Sequence, residues 1–325
     1  PWFLANPPSS NLESDLSFWL RNGANSRPNL DPWVIPLMAS CWPESKSFSP
    51  TSLELFNRCA FRFFAEKTLR LFTPSEKRLA LAWGTMIHEA LERATVSRDK
   101  LPYDEKRLKE QLKEALASHH VYLDPFHTHQ VQRMVGILCR GKWTEKVEGF
   151  TQLEAEHTFQ NTLLGVDPRG RNVLLSGRID LLAIHKELNV IAILDFKTGR
   201  IENIQKKIDS KRLLQPGLYA SYFRALPAAE NKIVTVGYLF LDKKDAKLTG
   251  AKNFPGQKRG GFDLNMTENE DGLTEPQRVA IDSAHAIREG TISLTVHGPD
   301  KPDSECTPYC PSRHACRHPS TYKSR

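Results

Sequence analysis

Two carboxylates and a lysine lie in strongly apolar segments of this 325-residue chain. Asp195 and Lys197 belong to the segment 191–197, which reads Ile-Ala-Ile-Leu-Asp-Phe-Lys, and Asp180 stands fifteen residues before Asp195. An unpaired charge costs several kcal/mol when it is buried, so these residues need compensation. A divalent cation bound by both carboxylates, with the lysine facing a phosphate, would provide it. An Asp–Lys ion pair with only a structural role is the alternative.

The two acidic segments have the composition of neighbouring β-strands. Residues 173–184 and 190–197 are rich in β-branched and apolar residues, and the short polar connection 185–189 separates them. Because side chains alternate between the two faces of a strand, the Asp and the Lys of the Asp-Phe-Lys segment share one face. The sequence therefore predicts an antiparallel hairpin that brings Asp180 near Asp195.

The overall charge favours a polyanionic partner. The chain holds 45 lysine and arginine residues against 38 aspartate and glutamate residues, for a formal net charge of +7. A surplus that serves only solubility is the alternative. No apolar run approaches the roughly 18 residues of a membrane span, and six cysteines in a chain of this length do not indicate a disulfide scaffold. We therefore expect no membrane partner and no secretion, with a location in the cytoplasm or on the nucleoid.

The chain reads as one elaborated domain with a lead-in. Residues 1–47 are rich in Pro, Asn and Ser and begin without Met, which indicates a lead-in segment or the remnant of a preceding domain in a processed or excised chain. The remainder divides into a helical part, a sheet core, a basic loop, and a helix with a Cys-rich tail, at 48–150, 151–241, 242–261 and 262–325. This pattern predicts an α/β or α+β fold with a small mixed central sheet flanked by helices.

Apolar spacing predicts the individual elements. A helix that starts at Ser49-Pro50 and a second that starts near Trp83 each carry a stripe of inward-facing apolar residues. The stripe of the second helix is Met86, Ile87, Ala90, Leu91 and Ala94. Further helices are predicted at 104–118, 125–148, 212–225 and 274–289, and strands at 152–159, 173–184, 190–197 and 232–241. Lysines, an arginine and four glycines over 242–261 predict a mobile basic loop.

The C-terminal tail has the ligand spacing of a metal site. Three thiols lie within eleven residues, at Cys306, Cys310 and Cys316. Soft-metal sites usually take four ligands, so one more is needed. Either a tail histidine, His314 or His318, completes a zinc site, or Cys59 far upstream completes a site that joins the two ends of the chain.

The order of these motifs resembles the RecB-like branch of the PD-(D/E)XK nucleases. It is similar to the nuclease domains of AddB-type helicase–nuclease subunits and of related iron–sulfur exonucleases. The matching pieces are the aromatic helix with Cys59, Gly84-x3-His88, Gly177-Arg178-Ile179-Asp180, Asp195-Phe196-Lys197-Thr198-Gly199 and Gln215-x3-Tyr219. The resemblance covers roughly residues 48–318, which makes 48–325 the expected nuclease domain. The chain departs from the family in spacing its first two tail cysteines C-x3-C, where the family commonly has C-x2-C.

The residues and the resemblance together assign roles at the expected metal site. Asp180 and Asp195 offer hard oxygen ligands, which suit Mg²⁺ or Mn²⁺. The resemblance implies a restriction-endonuclease-like core in which His88 is a further ligand. Lys197 would neutralise charge that develops on the scissile phosphate or orient the attacking water.

The resemblance extends to residues around this site. It implies that Gln215 and Tyr219, which are four apart and thus on one helix face, contact the DNA backbone. It also implies a supporting glutamate on the strand before the hairpin, namely Glu156, although Glu154 shares its face by strand alternation. The tail cysteines fall where the family's iron–sulfur ligands fall, which implies a 4Fe-4S cluster held together with Cys59, with zinc as the alternative.

Four basic residues follow the Asp-Phe-Lys strand and offer a track for DNA phosphates, or else a solvated loop: Lys206, Lys207, Lys211 and Arg212. We expect a metal-dependent DNA nuclease, in particular a single-strand exonuclease of DNA repair and recombination that works with a helicase domain or subunit. A free-standing iron–sulfur exonuclease is one alternative. A non-catalytic nucleic-acid-binding module with a structural zinc is the other.

Overall fold

The structure is a computed structural model, and it describes residues 34–71, 78–95, 104–119, 125–140, 142–198, 204–241, 246–257, 261–291 and 312. The contacts divide the chain into two compact units. The first comprises Pro1–Pro43, Leu55–Pro74 and His285–Arg325, and the second comprises Glu44–Glu54 and Ser75–Ala284. The predicted tail ligands Cys306, Cys310 and Cys316 lie outside the described residues.

The first unit contains short helices around aromatic residues. Its described helices are α1 (Val34–Cys41), the last four residues of α2 (Pro50–Arg58), and α3 (Ala60–Phe63), which continues as a π-helix (Phe64–Thr68). The ring of Phe63 lies 5.1 Å from that of Trp42 and 5.6 Å from that of Phe56. Phe63 is fully buried, so these rings form a core.

The second unit begins with a helical layer. It comprises α4 (Arg78–Thr95), α5 (Glu105–Ser118), α6 (Pro125–Arg140) and a 3-10 helix (Lys142–Lys146). The predicted inward stripe of α4 is confirmed, since each of its five residues is at most 3% exposed. The helix expected over 125–148 instead stops at Arg140. Buried Leu138, Trp143 and Val147 continue the apolar spacing across the break, so the spacing does not reveal where the helix ends. In the described part of the chain, no helix is long and apolar enough to cross a bilayer.

A mixed sheet forms the centre of the second unit, as the sequence predicts, but it has five strands where four were predicted. Its strands, in the spatial order β1-β2-β3-β4-β5, are β1 (Thr151–Val166), β2 (Asn172–His185), β3 (Val190–Thr198), β4 (Ile233–Leu241) and β5 (Ala246–Gly250). Strands β3 and β4 are parallel, and the other neighbours are antiparallel. The remaining helices are α7 (Ile204–Asp209), α8 (Gln215–Arg224) and α9 (Glu275–Arg288), with a 3-10 turn at Pro227–Ala229.

The connection between β3 and β4 places α8 beside the sheet. Two adjacent parallel strands require a crossover, and here the crossover contains α7 and α8. Strands β2 and β3 form the predicted antiparallel hairpin, in which Leu181 pairs with Leu194. Leu181, Leu194 and Phe196 belong to one buried cluster with residues of α4, α5 and α6. The apolar residues on either side of the acidic positions are thus anchored in the core.

The edge strand β5 corrects part of the prediction of a basic loop over 242–261, of which residues 242–245 and 258–260 lie outside the described residues. Residues Ala246–Gly250 pair with β4, and Ala246 and Leu248 are buried while Lys247 is exposed. A side chain at Gly250 would lie 2.4 Å from Phe254 Cβ, so this glycine permits close packing and does not mark a loop. The loop prediction counted charges and glycines and overlooked the alternation of apolar residues in a strand only five residues long.

Candidate active site

The strand register sets the acidic residues in one line across the sheet. The pairs Ala155–Leu181 and His157–Ile179 bracket Glu156, which therefore lies opposite Asp180. One step beyond the pair Leu181–Leu194, the same register brings Asp180 opposite Asp195. Asp195 in turn pairs with Tyr238 of β4. Opposite residues on neighbouring strands interact directly, so three carboxylates meet along this line.

Asp195 is held on both carboxylate oxygens. Its Oδ1 accepts a hydrogen bond from Gln215 Nε2 at 2.9 Å, and its Oδ2 lies 2.6 Å from Lys197 Nζ. The residue is only 5% exposed. Burial raises the pKa of Asp195 to about 6, with Lys197 opposing the shift and the charge of Asp180 adding to it. The site thus contains a buried carboxylate whose charge is only partly compensated.

Lys197 stays charged beside this carboxylate. Burial lowers its pKa, but the charge and hydrogen bond of Asp195 outweigh burial, so the pKa of Lys197 is raised. Its side chain is 41% exposed, and the ammonium also lies 5.9 Å from the centre of the buried Tyr238 ring. An ammonium that is both anchored and solvent-accessible can reach an anionic ligand.

Helix α8 supplies two buried groups that fix the surroundings of Asp195. Gln215 is 7% exposed and Tyr219 is 4% exposed, and Gln215 Nε2 also lies 3.4 Å from Tyr219 OH. Tyr219 OH donates to the carbonyl of Arg178 at 2.8 Å, and burial raises the pKa of this phenol. In this structure the pair positions Asp195 and strand β2, which differs from the predicted contact with the DNA backbone. Side chains buried to this degree present little surface to a large ligand.

Gly177 has a steric role next to these groups. A Cβ atom at Gly177 would lie 2.6 Å from Phe159 Cζ and 2.9 Å from Tyr219 Cε1. Any side chain there would push the Tyr219 ring away from strand β2. This explains the glycine of the Gly-Arg-Ile-Asp segment as a requirement for close approach of α8 to the sheet.

Three potential metal ligands converge beside Asp195. One ligand atom each from His88, Glu156 and Asp180 lies within 4.8 Å of the others. His88 Nδ1 is 3.5 Å from Asp180 Oδ1, and the backbone N–H of Phe196 donates to Asp180 Oδ2 at 2.7 Å. Burial alone would lower the pKa of His88, but the hydrogen bond and charge of Asp180 and the charge of Asp195 raise it. The imidazole from α4 therefore faces a strongly negative region.

Burial and partners distinguish Glu156 from Glu154. Glu156 has a φ of +54°, in the left-handed region, although β1 stays in register with β2 from Glu154 to Phe159. Glu156 joins the group with His88 and Asp180, whereas Glu154 is 56% exposed and lies 2.7 Å from His157 Nδ1. A sparsely populated backbone conformation at a cluster of carboxylates is typical of functional sites.

The donor set of this group fits a divalent cation. Two carboxylates and an imidazole nitrogen suit Mn²⁺ or Mg²⁺. Burial raises the pKa of Glu156, with the charge of Arg178 opposing the shift and the charge of Asp180 adding to it, so a cation would relieve real repulsion. Asp195, also predicted as a ligand, is not among the three residues whose ligand atoms lie within 4.8 Å of one another, and its oxygens contact Gln215 and Lys197.

Glu54 is a buried carboxylate that sequence reasoning missed. It lies on α2, is 3% exposed, and its Oε1 accepts the backbone N–H groups of Leu214 and Gln215 at 2.8 Å each. These N–H groups open α8, where the helix dipole favours a negative charge. Glu54 thus sets the start of the helix whose first residue holds Asp195. The only signal in the sequence is a lone acidic residue between Leu53 and Leu55.

Glu54→Gln should lower stability and activity together. Glutamine keeps an acceptor oxygen but removes the charge at the helix start, so we expect a loss of about 1–2 kcal/mol in the free energy of unfolding. We expect nucleic-acid cleavage to fall roughly tenfold as Gln215 loses its fixed position. Urea unfolding and initial cleavage rates measure these effects. The exposed Glu187→Gln is the matched control, and equal behaviour of the two variants would contradict the positioning role.

The remaining predicted site residues are the four basic residues after β3 and Cys59. Lys206 and Lys207 lie on α7, and Lys211 and Arg212 lie between α7 and α8, with Lys206 and Lys211 exposed and the other two half-buried. Cys59 caps α3, and its Sγ accepts from the backbone N–H of Arg62 at 3.4 Å. Cys59 is in no disulfide.

A model of one nuclease family matches most of the sequence of this chain. The chain belongs to the PD-(D/E)XK nuclease superfamily, which matches residues 47–317. This range contains the sheet, the His88 helix, Cys59 and the three tail cysteines. Members of this class are hydrolytic nucleases that use divalent metals, so the substrate of this chain is a nucleic acid.

Comparison with solved structures adds two distant likenesses in fold. One is an exonuclease candidate from Eubacterium rectale, at 11% identity and a TM-score of 0.43, covering 78% of this chain and 85% of that one. The other is the protein SSO0001, at 13% identity and a TM-score of 0.32, covering 74% of this chain and 95% of that one. A search of curated protein sequences found no match.

Proposed function

We propose that this protein is a divalent-metal-dependent deoxyribonuclease that degrades single-stranded or unwound DNA from an end. The observation that carries the proposal is the convergence of His88, Glu156 and Asp180 next to the Asp195–Lys197 pair. A bound divalent cation would supply Lewis-acid activation of the scissile phosphate and of the attacking water. Preference for DNA, for single strands and for ends rests on the resemblance to RecB-like enzymes.

Side chains of the protein would bind the cation, orient Asp195 and bind the phosphate. His88, Glu156 and Asp180 would hold the cation, and Asp195 would remain oriented by Gln215. Lys197 would place its ammonium against the phosphate oxygens, where charge develops during phosphodiester cleavage. The basic residues before α8 would attract the strand by charge, which makes binding weaken with added salt.

We further propose that Cys59, Cys306, Cys310 and Cys316 hold an iron–sulfur cluster. The family match spans all four residues, which supports this assignment. The cluster would have a structural role, and a DNA-repair helicase domain or subunit would unwind the substrate. Purified protein with stoichiometric zinc and no iron would contradict the cluster while leaving the nuclease proposal intact.

Digestion of end-labelled DNA tests the nuclease proposal. Wild-type protein should shorten single-stranded DNA labelled at either end in Mg²⁺, and should not do so in EDTA. Asp180→Asn should reduce the rate by roughly a thousandfold, because it removes a charged ligand oxygen. Asp282→Asn on α9 makes the same chemical change at an exposed position and should retain wild-type activity. Mg²⁺-dependent cleavage that survives Asp180→Asn would contradict the proposal, and product sizes over time distinguish cleavage from an end from internal cleavage.

A further inference from the structure

Arg178 lies next to the candidate metal group and has no part in the chemistry described above. Its guanidinium forms an ion pair with Glu156. The Arg178 side chain is 63% exposed, whereas that of Glu156 is only 10% exposed. The backbone of Arg178 is fixed, because its carbonyl accepts the hydrogen bond of Tyr219 OH at 2.8 Å. A solvent-exposed guanidinium thus extends from an anchored point on β2.

Glu156 stands between two sources of positive charge. On one side, its carboxylate belongs to the group with His88 and Asp180, where a cation would bind. On the other side, it pairs with Arg178. The repulsion between Glu156 and Asp180 requires a counter-charge, which the arginine provides in this structure. A divalent ion bound by His88, Glu156 and Asp180 would provide a larger positive charge than the arginine does, in direct contact with both carboxylates.

We propose that a bound divalent cation takes Glu156 from Arg178, and that the released guanidinium binds a backbone phosphate of the nucleic acid. This inference rests on the proposed function. A guanidinium has five N–H donors in a planar fork that matches phosphate geometry, and an exposed side chain can turn toward such a ligand at low cost. Arg178 cannot serve both partners fully, so it binds phosphate well only when the metal has replaced it at Glu156.

The exchange couples the two ligands of the enzyme. Metal binding raises the affinity for nucleic acid, and nucleic acid raises the affinity for metal by the same factor. Removing Arg178 should change the two affinities in opposite directions. Without the competing arginine, metal should bind more tightly, whereas nucleic acid should bind more weakly once metal is present. Damage to the fold would weaken both.

Two titrations test this in a cleavage-silent Lys197→Met background. Electron paramagnetic resonance measures free and bound Mn²⁺ without DNA, and fluorescence anisotropy measures binding of a labelled single-stranded oligonucleotide in EDTA and in Mn²⁺. Arg178→Ala should tighten Mn²⁺ binding two- to fivefold, on the order of one partly exposed ion pair. It should weaken oligonucleotide binding roughly tenfold in Mn²⁺ and less than about twofold in EDTA.

Two further variants, Glu156→Gln and Arg224→Ala, test whether the release of Arg178 causes the change in binding. Glu156→Gln releases Arg178 without metal, so oligonucleotide binding in EDTA should tighten, and adding Arg178→Ala should abolish that gain. Arg224→Ala removes an exposed arginine at the end of α8 and should change neither titration. The inference is overturned if Arg178→Ala weakens both ligands or leaves oligonucleotide binding in Mn²⁺ unchanged. If protein that retains Lys197 binds neither Mn²⁺ nor, in EDTA, the oligonucleotide, the proposed function itself fails.

Discussion

Replacing Lys197 by methionine should lower the rate of DNA cleavage by roughly a thousandfold while Mn²⁺ still binds. Methionine keeps much of the apolar stem but removes the ammonium that lies 2.6 Å from Asp195 Oδ2. His88, Glu156 and Asp180 are unchanged, so the candidate metal group remains. Single-turnover cleavage and Mn²⁺ titration by electron paramagnetic resonance separate the two properties.

The matched control is Lys186→Met in the exposed turn between β2 and β3. It makes the same chemical change away from the carboxylates and should cleave at the wild-type rate. If Lys197→Met cleaves within tenfold of wild type, Lys197 does not stabilise the developing charge. If it also loses Mn²⁺ binding, the lysine acts through the metal group and the assignment of its role is wrong.

Replacing Asp195 by asparagine should stabilise the metal-free protein at neutral pH. Burial holds the pKa of Asp195 at about 6, whereas the ordinary value is 3.8. The folded state therefore binds the proton more tightly than the unfolded state does. The stability from this group is fully present below pH 3.8 and is lost as pH rises through about 6. A shift of about two pKa units corresponds to about 3 kcal/mol, and asparagine removes it.

The gain from Asp195→Asn should therefore depend on pH. In EDTA the variant and the wild type should unfold at similar urea concentrations at pH 4, and the variant should be more stable by about 3 kcal/mol at pH 7. Cleavage should be lost, because the Asp195–Lys197 pair is gone. A variant that is less stable than wild type at pH 7 would mean that the ion pair with Lys197 outweighs the burial of the carboxylate. The predicted outcome instead identifies Asp195 as a residue kept for function at a cost in stability.

Sequence patterns predicted the parts of this site that depend on local periodicity. The hairpin that brings Asp180 opposite Asp195 follows from two apolar segments and a five-residue polar connection at 185–189. The helix of His88 follows from an apolar stripe whose residues are buried as predicted. In both cases the periodic spacing of apolar residues decides which face of the strand or helix is buried. Packing of that face in the core then sets the positions of the polar residues next to it.

The parts that the sequence did not predict depend on burial and on distant partners. Alternation along β1 could not separate Glu156 from Glu154, because it assigns both to one face, and the two residues differ in their burial and their partners. The role of Glu54 arises from N–H groups 160 and 161 residues away in the chain. The burial of Gln215 follows from the crossover that lays α8 against the sheet, whereas its spacing from Tyr219 alone indicates only a shared helix face.

The central claim is that His88, Glu156 and Asp180 hold the divalent ion of this nuclease, and a crystal grown with Mn²⁺ tests it most directly. An anomalous difference map identifies manganese independently of the rest of the density. We predict a manganese peak bonded to all three side chains, with the Arg178 guanidinium turned away from Glu156. The same map shows whether the Asp195 carboxylate leaves Lys197 and binds the metal. A fully loaded, active enzyme with no anomalous peak at these residues would contradict the account.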